Sequence, residues 1–367
     1  MMKKTFPEVI LMKSIEELDR NFALNQKTED GLIYYDVWQA PFQAYGIVPN
    51  EKKSFCRFPL DVLPSLPEGV RSLSSHLAGA CIRFSTDAPS IAVKWRLPNG
   101  RHMPHCTPCA KSGLELFEEN DRGIFAVKNL IPALNEGTTC LGEQSTTVDL
   151  PSGLRHYALY LPLYNGLEYL HIGFPEGAQI LPGRTPKIEK PLVFYGSSIT
   201  QGGCAAKVGS CYTTILARRL DAAQINLGFS GNARGEAVVA EYIASLSMSA
   251  FIYDYDHNAP SPEHLEKTHE PFFKIIRAAQ PDLPIIMVSK PDFKGTDRDI
   301  RQREIIRKTY ENARKNGDEN VYFVDGETFF GTQDRDMCTV DGTHPTSLGF
   351  LRMADGLEPV LRQVLKL

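Results

Sequence analysis

From Pro191 to the C-terminus, short apolar runs alternate with helical stripes, and this alternation constrains the fold more than any other feature. Strands are predicted over 192–195, 224–227, 251–255, 285–289 and 321–324. Between them, apolar residues recur at helical spacing, as in Val239, Tyr242, Ile243 and Leu246. Five strands separated by helices specify a parallel sheet with helices on both faces, because a parallel neighbour is reached only through a long crossover. Gly317 is placed to stop the Lys- and Arg-rich helix before it. A last helix presents Leu357, Val360, Leu361, Val364 and Leu365 on one face.

The region from about 30 to 180 has a different rhythm. Candidate strands at 80–85, 90–97, 115–117, 123–127, 157–161 and 168–174 are separated by Pro, Gly, Asn and Asp. That spacing predicts a β-sandwich of jelly-roll type. Before it, Ser14-Ile15-Glu16-Glu17 is a capping box, and Ile15, Leu18 and Phe22 form a short stripe, which predicts one helix. Residues 181–191, with Pro182, Pro186 and Pro191, read as a linker. The expected division is therefore a β-rich accessory domain over 1–185 and an α/β domain over 190–367.

Ligands of open parallel sheets bind beyond the C-terminal ends of the strands. The reactive residues fall there. Gly196-Ser197-Ser198-Ile199-Thr200-Gln201-Gly202 follows the first strand of the α/β region. Asp341-Gly342-Thr343-His344-Pro345 lies near the C-terminus, with Pro345 expected to open the last helix. A serine hydroxyl is a poor nucleophile until a base takes its proton, and the base needs a partner to fix its tautomer. His344 can serve Ser198, and Asp341 can hold the other ring nitrogen. Each motif alone also reads as plain structure, with Ser198 as a helix cap and Asp341 and His344 as turn residues. Their combination points to acyl transfer.

These segments resemble the four blocks of the SGNH (GDSL-type) hydrolases. Gly196-Ser197-Ser198-Ile199-Thr200 is similar to the first block, with Ser197 where that family usually has Asp. Asn226-Leu227-Gly228-Phe229-Ser230-Gly231-Asn232 is similar to the second, with Gly231 as its glycine. Tyr253-Asp254-Tyr255-Asp256-His257-Asn258 stands at the third, without its usual Gly-x-Asn-Asp. Asp341-Gly342-Thr343-His344 is similar to the fourth. Upstream, Ser112-Gly113-Leu114-Glu115-Leu116-Phe117 resembles the Gly-x-Asp-Leu-Tyr signature of a branch with a β-rich N-terminal domain, with Glu115 and Phe117 in place of Asp and Tyr. Leu161-Pro162-Leu163-Tyr164-Asn165-Gly166 resembles that branch too.

The resemblance implies a flavodoxin-like hydrolase domain with a five-stranded parallel sheet behind a sandwich domain. It implies a serine esterase acting on a small acyl group, acetyl on a carbohydrate foremost. An acyltransferase on the same machinery and a non-catalytic carbohydrate-binding protein are the alternatives. The implied catalytic residues are Ser198, Asp341 and His344. The implied oxyanion donors are the N–H groups of Ser198 and Gly231 and the amide of Asn258, since acyl transfer builds charge on the former carbonyl oxygen. Gly228 or Gly231 can equally serve only the turn, and Asn258 only its own loop.

Composition adds exclusions. A formal net charge of -4 leaves no footprint for nucleic acid or an anionic membrane. No run of 18 apolar residues occurs, so no transmembrane helix is predicted. Lys3 and Lys4 precede an apolar stretch, 9–12, too short for a signal peptide, so a cytoplasmic location is expected, an exported form with its signal removed being the alternative. Eight cysteines in a chain of 367 residues do not imply a disulfide framework. His102, His105, Cys106 and Cys109 fall within eight residues, whereas zinc sites usually separate their ligand pairs, so a plain loop is expected and no metal or cofactor. Cys338 is a poorer nucleophile candidate for His344 than Ser198. The expected partner is a small-molecule or carbohydrate ester, with a homo-oligomer left open. Segment 102–109 is expected to wall the site.

Overall fold

The computed structural model describes residues 26–27, 31–100, 102–134, 140–291 and 295–367. The capping box at 14–17 and its helix lie outside the described residues.

The C-terminal half is built on a parallel sheet in the order Ala222–Gly228, Ile188–Gly196, Ala250–Asp254, Ile285–Val288, Val321–Val324. Its strands are buried on both faces, which is why they read as continuous apolar runs. Leu192, Phe194, Ile252 and Ile286 point into one layer, under the helices Tyr212–Leu220 and Ser347–Leu365. Val193, Tyr195, Phe251 and Ile285 point into the other, under Ala237–Ser245, Pro262–Ala279 and Asp297–Lys315. Gly317 follows the last of these with φ +87°, a left-handed stop that glycine adopts without a Cβ penalty. Among the described residues, no helix is long and apolar enough to cross a membrane.

The N-terminal half forms two antiparallel sheets. One runs Gln26–Lys27, Leu32–Asp36, Tyr169–Pro175, Ser90–Leu97, Gly142–Asp149. The other runs Ile180–Pro182, Cys81–Thr86, Arg155–Tyr160, Leu114–Asn120, Gly123–Leu130, with Gln43–Tyr45 also paired to Cys81–Thr86. Ile91, Val93 and Trp95 of the first sheet and Ile82, Phe84 and Leu159 of the second share one core. Leu32–Asp36, Gln43–Tyr45, Gly142–Asp149 and Ile180–Pro182 were not among the predicted strands. Gly142–Asp149 shows why: only Gln144 and Val148 turn inward, so this edge strand has no apolar run to read.

The linker reading is corrected. Ile180–Pro182 is a strand, and Ile188 already pairs with Ala222, so only 183–187 is free of strand. Even there Arg184 donates to Asn120 O at 3.0 Å.

The second sheet also meets the α/β half. Cys81, Phe117, Ala158 and Tyr160 pack with Val208, Tyr212 and Leu216 in one cluster. Buried Glu115 pairs with Lys207 and accepts from Gly209 N–H at 2.7 Å. The Arg218 guanidinium lies 4.5 Å over the Phe117 ring. The segment similar to Gly-x-Asp-Leu-Tyr is thus a clamp. Its acidic residue holds the loop ahead of Tyr212–Leu220, and its aromatic residue fills the gap beside it.

Candidate active site

Strand Ile188–Gly196 ends in a tight turn into the helix Ser198–Gln201. Ser197, not Ser198, caps that helix, accepting from Ile199 N–H at 3.1 Å. Ser198 is left as its first residue, 5% exposed, with its hydroxyl free of the capping duty. Its Oγ lies 2.8 Å from His344 Nε2. His344 Nδ1 lies 2.7 Å from Asp341 Oδ2. Asp341 Oδ1 accepts from the backbone N–H groups of His344 at 2.8 Å and Thr343 at 3.0 Å. Burial opposes ionisation of Asp341, but these N–H groups and the imidazole outweigh it and hold the carboxyl down at about 2. An ionised carboxylate only accepts, so Nδ1 carries the ring proton and Nε2 is left to accept from Ser198. The arrangement can move a proton from serine to imidazole.

Pro345 does not open the last helix. It pairs with Thr339 in an isolated bridge, and Thr346 caps the helix Ser347–Leu365, accepting from Gly349 N–H at 3.3 Å. The bridge holds both ends of the 339–345 loop, so His344 is set from a braced turn.

Several residues behind the turn carried no readable signal in the sequence. Thr200 and Tyr212 both bond the buried Asp254 carboxyl, Tyr212 at 3.0 Å, and burial pushes that carboxyl up to about 8. Gln201 Nε2 donates to Leu163 O and meets His76 Nδ1, each at 3.0 Å, while its Oε1 accepts from Ser230 N–H at 2.9 Å. Tyr164, inside the second N-terminal segment noted above, donates to Ser198 O at 3.1 Å. Arg57 is 1% exposed and donates to Asn226 O at 2.8 Å, Gly228 O at 2.9 Å and Leu73 O at 2.7 Å. Burial pushes its guanidinium down to about 9, so it stays charged at neutral pH.

Gly231 has φ +70°, a backbone state that a side chain would strain, although open space surrounds it. Gly228 differs: a Cβ there would come within 2.3 Å of Gln201 N. The two glycines divide the work, Gly228 letting the turn approach the serine helix and Gly231 setting the turn's conformation. Asn258, in the short helix Asp256–Asn258, donates from Nδ2 to Phe229 O at 3.0 Å. One N–H of that amide thus ties its loop to the 228–231 turn, and the amide carries a second donor. Ser230 joins the same turn to the serine helix through Gln201.

A cavity of about 490 Å³ opens beside Tyr164 and Ser230. Glu68, Ser72, His76 and Met103 of the N-terminal half line it, together with Asn232. The His105 ring centroid is 5.8 Å from that of His344, so segment 102–109 does line the site. His257 is pushed down to about 4 by burial, then by the charges of Lys290 and His344, and is neutral at neutral pH. Cys338 is buried, bonded by Arg352, and raised by burial, which removes it as a competing nucleophile.

The GDSL-like lipase/acylhydrolase family matches residues 189–362. The N-terminal domain of SGNH-hydrolase-type esterases, named for its GxDLY signature, matches residues 32–180. A Bacteroides ovatus protein described as a GDSL-like lipase is 32% identical, with a TM-score of 0.82 over 91% of this chain and 98% of that one. A salicylyl-acyltransferase from a tetracycline biosynthetic pathway is 20% identical, with a TM-score of 0.75 over 92% and 99%. An acetyl xylan esterase from the rumen bacterium Butyrivibrio proteoclasticus is 15% identical, with a TM-score of 0.56 over 91% and 99%. The latter two likenesses are of fold. No curated protein matches the chain significantly.

Proposed function

Since this chain belongs to the GDSL-like lipase/acylhydrolase family of carboxylic ester hydrolases, we propose that it removes small acyl groups, acetyl foremost, from a carbohydrate through Ser198, His344 and Asp341. The observation that carries this reading is the continuous chain from Ser198 Oγ through the His344 ring to Asp341, at 2.8 and 2.7 Å. Ser198 attacks the ester carbonyl as His344 takes its proton. Asp341 holds the imidazolium that forms. The oxyanion rests on the N–H groups of Ser198 and Gly231 and on the Asn258 amide. His344 then protonates the leaving alcohol, and water, activated by the same imidazole, releases the acid.

The neighbouring cavity offers Glu68, Ser72, His76 and Asn232 as hydrogen-bonding groups for a hydroxyl-rich alcohol, beside the apolar Leu73 and Met103. The acetyl xylan esterase among the structural neighbours supports the same choice. The acyltransferase neighbour favours a second reading, in which an acceptor alcohol replaces water.

The test is hydrolysis of p-nitrophenyl acetate, butyrate and octanoate, followed by acetylated oligosaccharides. Acetate is expected to give the highest kcat/KM. Octanoate turned over as well as acetate would remove the short-acyl reading. Acylated product in the presence of acceptor alcohols, exceeding free acid, would favour the transferase. Asn258→Ala is expected to lower kcat by about 10²–10³ with KM little changed, as for loss of one oxyanion donor. An unchanged kcat would leave Asn258 as a loop tie only.

A further inference from the structure

Segment 102–109 brings a second constellation to the site. His105, Cys106 and Cys204 each offer a ligand atom, and these atoms lie within 4.8 Å of one another. Sequence spacing grouped Cys106 with Cys109, but the fold separates them. Cys109 enters the helix Pro108–Ser112, and Cys204, from the turn after the serine helix, takes its place. Cys106 and Cys204 share a hydrogen bond, and both are buried free thiols. Cys204 has φ +69°, an uncommon state for a residue with a Cβ, which persists only when the surroundings impose it. The two segments are pinned together by Thr107 Oγ1 donating to Ala206 O at 2.6 Å.

We propose that His105, Cys106 and Cys204 bind a soft divalent transition metal, zinc before others. Two thiolates and an imidazole are the donor set that zinc favours over harder cations. Tetrahedral bonds of about 2.0–2.3 Å place ligand atoms roughly 3.5–3.8 Å apart, so the three need only close by about 1 Å. Three protein ligands leave the fourth position open. Binding displaces the two thiol protons to solvent.

His105 belongs to a second cluster as well, with Asp341 and His344, whose ligand atoms also lie within 4.8 Å. The bound cation therefore sits beside His344 and disfavours the imidazolium formed during attack. Zinc occupancy inhibits hydrolysis. This consequence rests on His344 being the base; the binding site does not.

The experiment is titration of the freshly reduced, metal-free protein with Co²⁺. One equivalent is expected to bind with thiolate-to-cobalt charge-transfer absorption, and zinc to displace it. Cys106→Ser and Cys204→Ser lose the band, whereas Cys109→Ser keeps it, with circular dichroism checking the fold of each. No band in the wild type, or an equal band in Cys204→Ser, overturns the site. Zinc inhibition is then compared by ester hydrolysis. Cys204→Ser is expected to need at least about 100-fold more zinc, since even losing a supporting partner of a ligand costs 10–100-fold in affinity. Equal inhibition of both proteins overturns the regulatory consequence while leaving the cobalt result to judge the site.

Discussion

Replacing Ser198 by alanine is expected to lower kcat by about 10⁶-fold, the scale seen when a serine hydrolase loses its nucleophile. The change removes one oxygen and little else. Ser197 still caps the helix, so the turn keeps its shape. Tyr164 bonds the Ser198 carbonyl rather than its hydroxyl, so that tie survives too. Oxyanion donors and substrate binding remain and leave a residual rate about 10³–10⁴ above water. KM is therefore expected to move little. The measurement is turnover of p-nitrophenyl acetate by both proteins, together with mass spectrometry after a serine-directed phosphonate. The phosphonate is expected on Ser198 in the wild type and nowhere in the variant. Equal turnover by the two proteins would sink the mechanism.

Replacing Arg57 by methionine is expected to destabilise the fold by about 2–6 kcal/mol, through the buried carbonyls left without its guanidinium. Leu73 O keeps the His76 N–H at 3.1 Å, but the carbonyls of Asn226 and Gly228 lose the guanidinium in a site that water does not reach. Each buried acceptor left unmet costs about 1–3 kcal/mol. Methionine keeps an apolar stem over the Phe229 ring, where the guanidinium now lies at 4.5 Å, so lost packing is a minor part. The same carbonyls frame the turn that carries Gly231. Loosening it is expected to lower kcat at least about tenfold, since displacement of about 1 Å can cost 10². Urea unfolding and steady-state kinetics together check this. A variant as stable as the wild type would mean that water or a rearranged side chain replaces the guanidinium.

The sequence by itself determined whatever depends on near neighbours. Alternating apolar runs and 3.6-residue stripes gave the parallel sheet and its helices, because burial on two faces leaves a continuous apolar record. Ser198, Asp341 and His344 were legible because turn chemistry is local: glycines around a serine after a strand, and a carboxylate three residues from an imidazole. The edge strand Gly142–Asp149 left no such record, being half solvated and polar. Spacing also misled at Pro345, which it set at a helix start that belongs to Ser347.

Only the tertiary structure decided the rest. Arg57, some 170 residues before the Asn226 and Gly228 carbonyls it holds, has nothing beside it in the chain that marks its role. Glu115 meets Lys207 and Gly209, and Cys106 meets Cys204, only after the second sheet of the sandwich packs onto Tyr212–Leu220. Local propensity acts over a few residues, whereas these contacts span about a hundred. They exist because two apolar faces bury each other, and that burial fixes which polar groups are left facing one another.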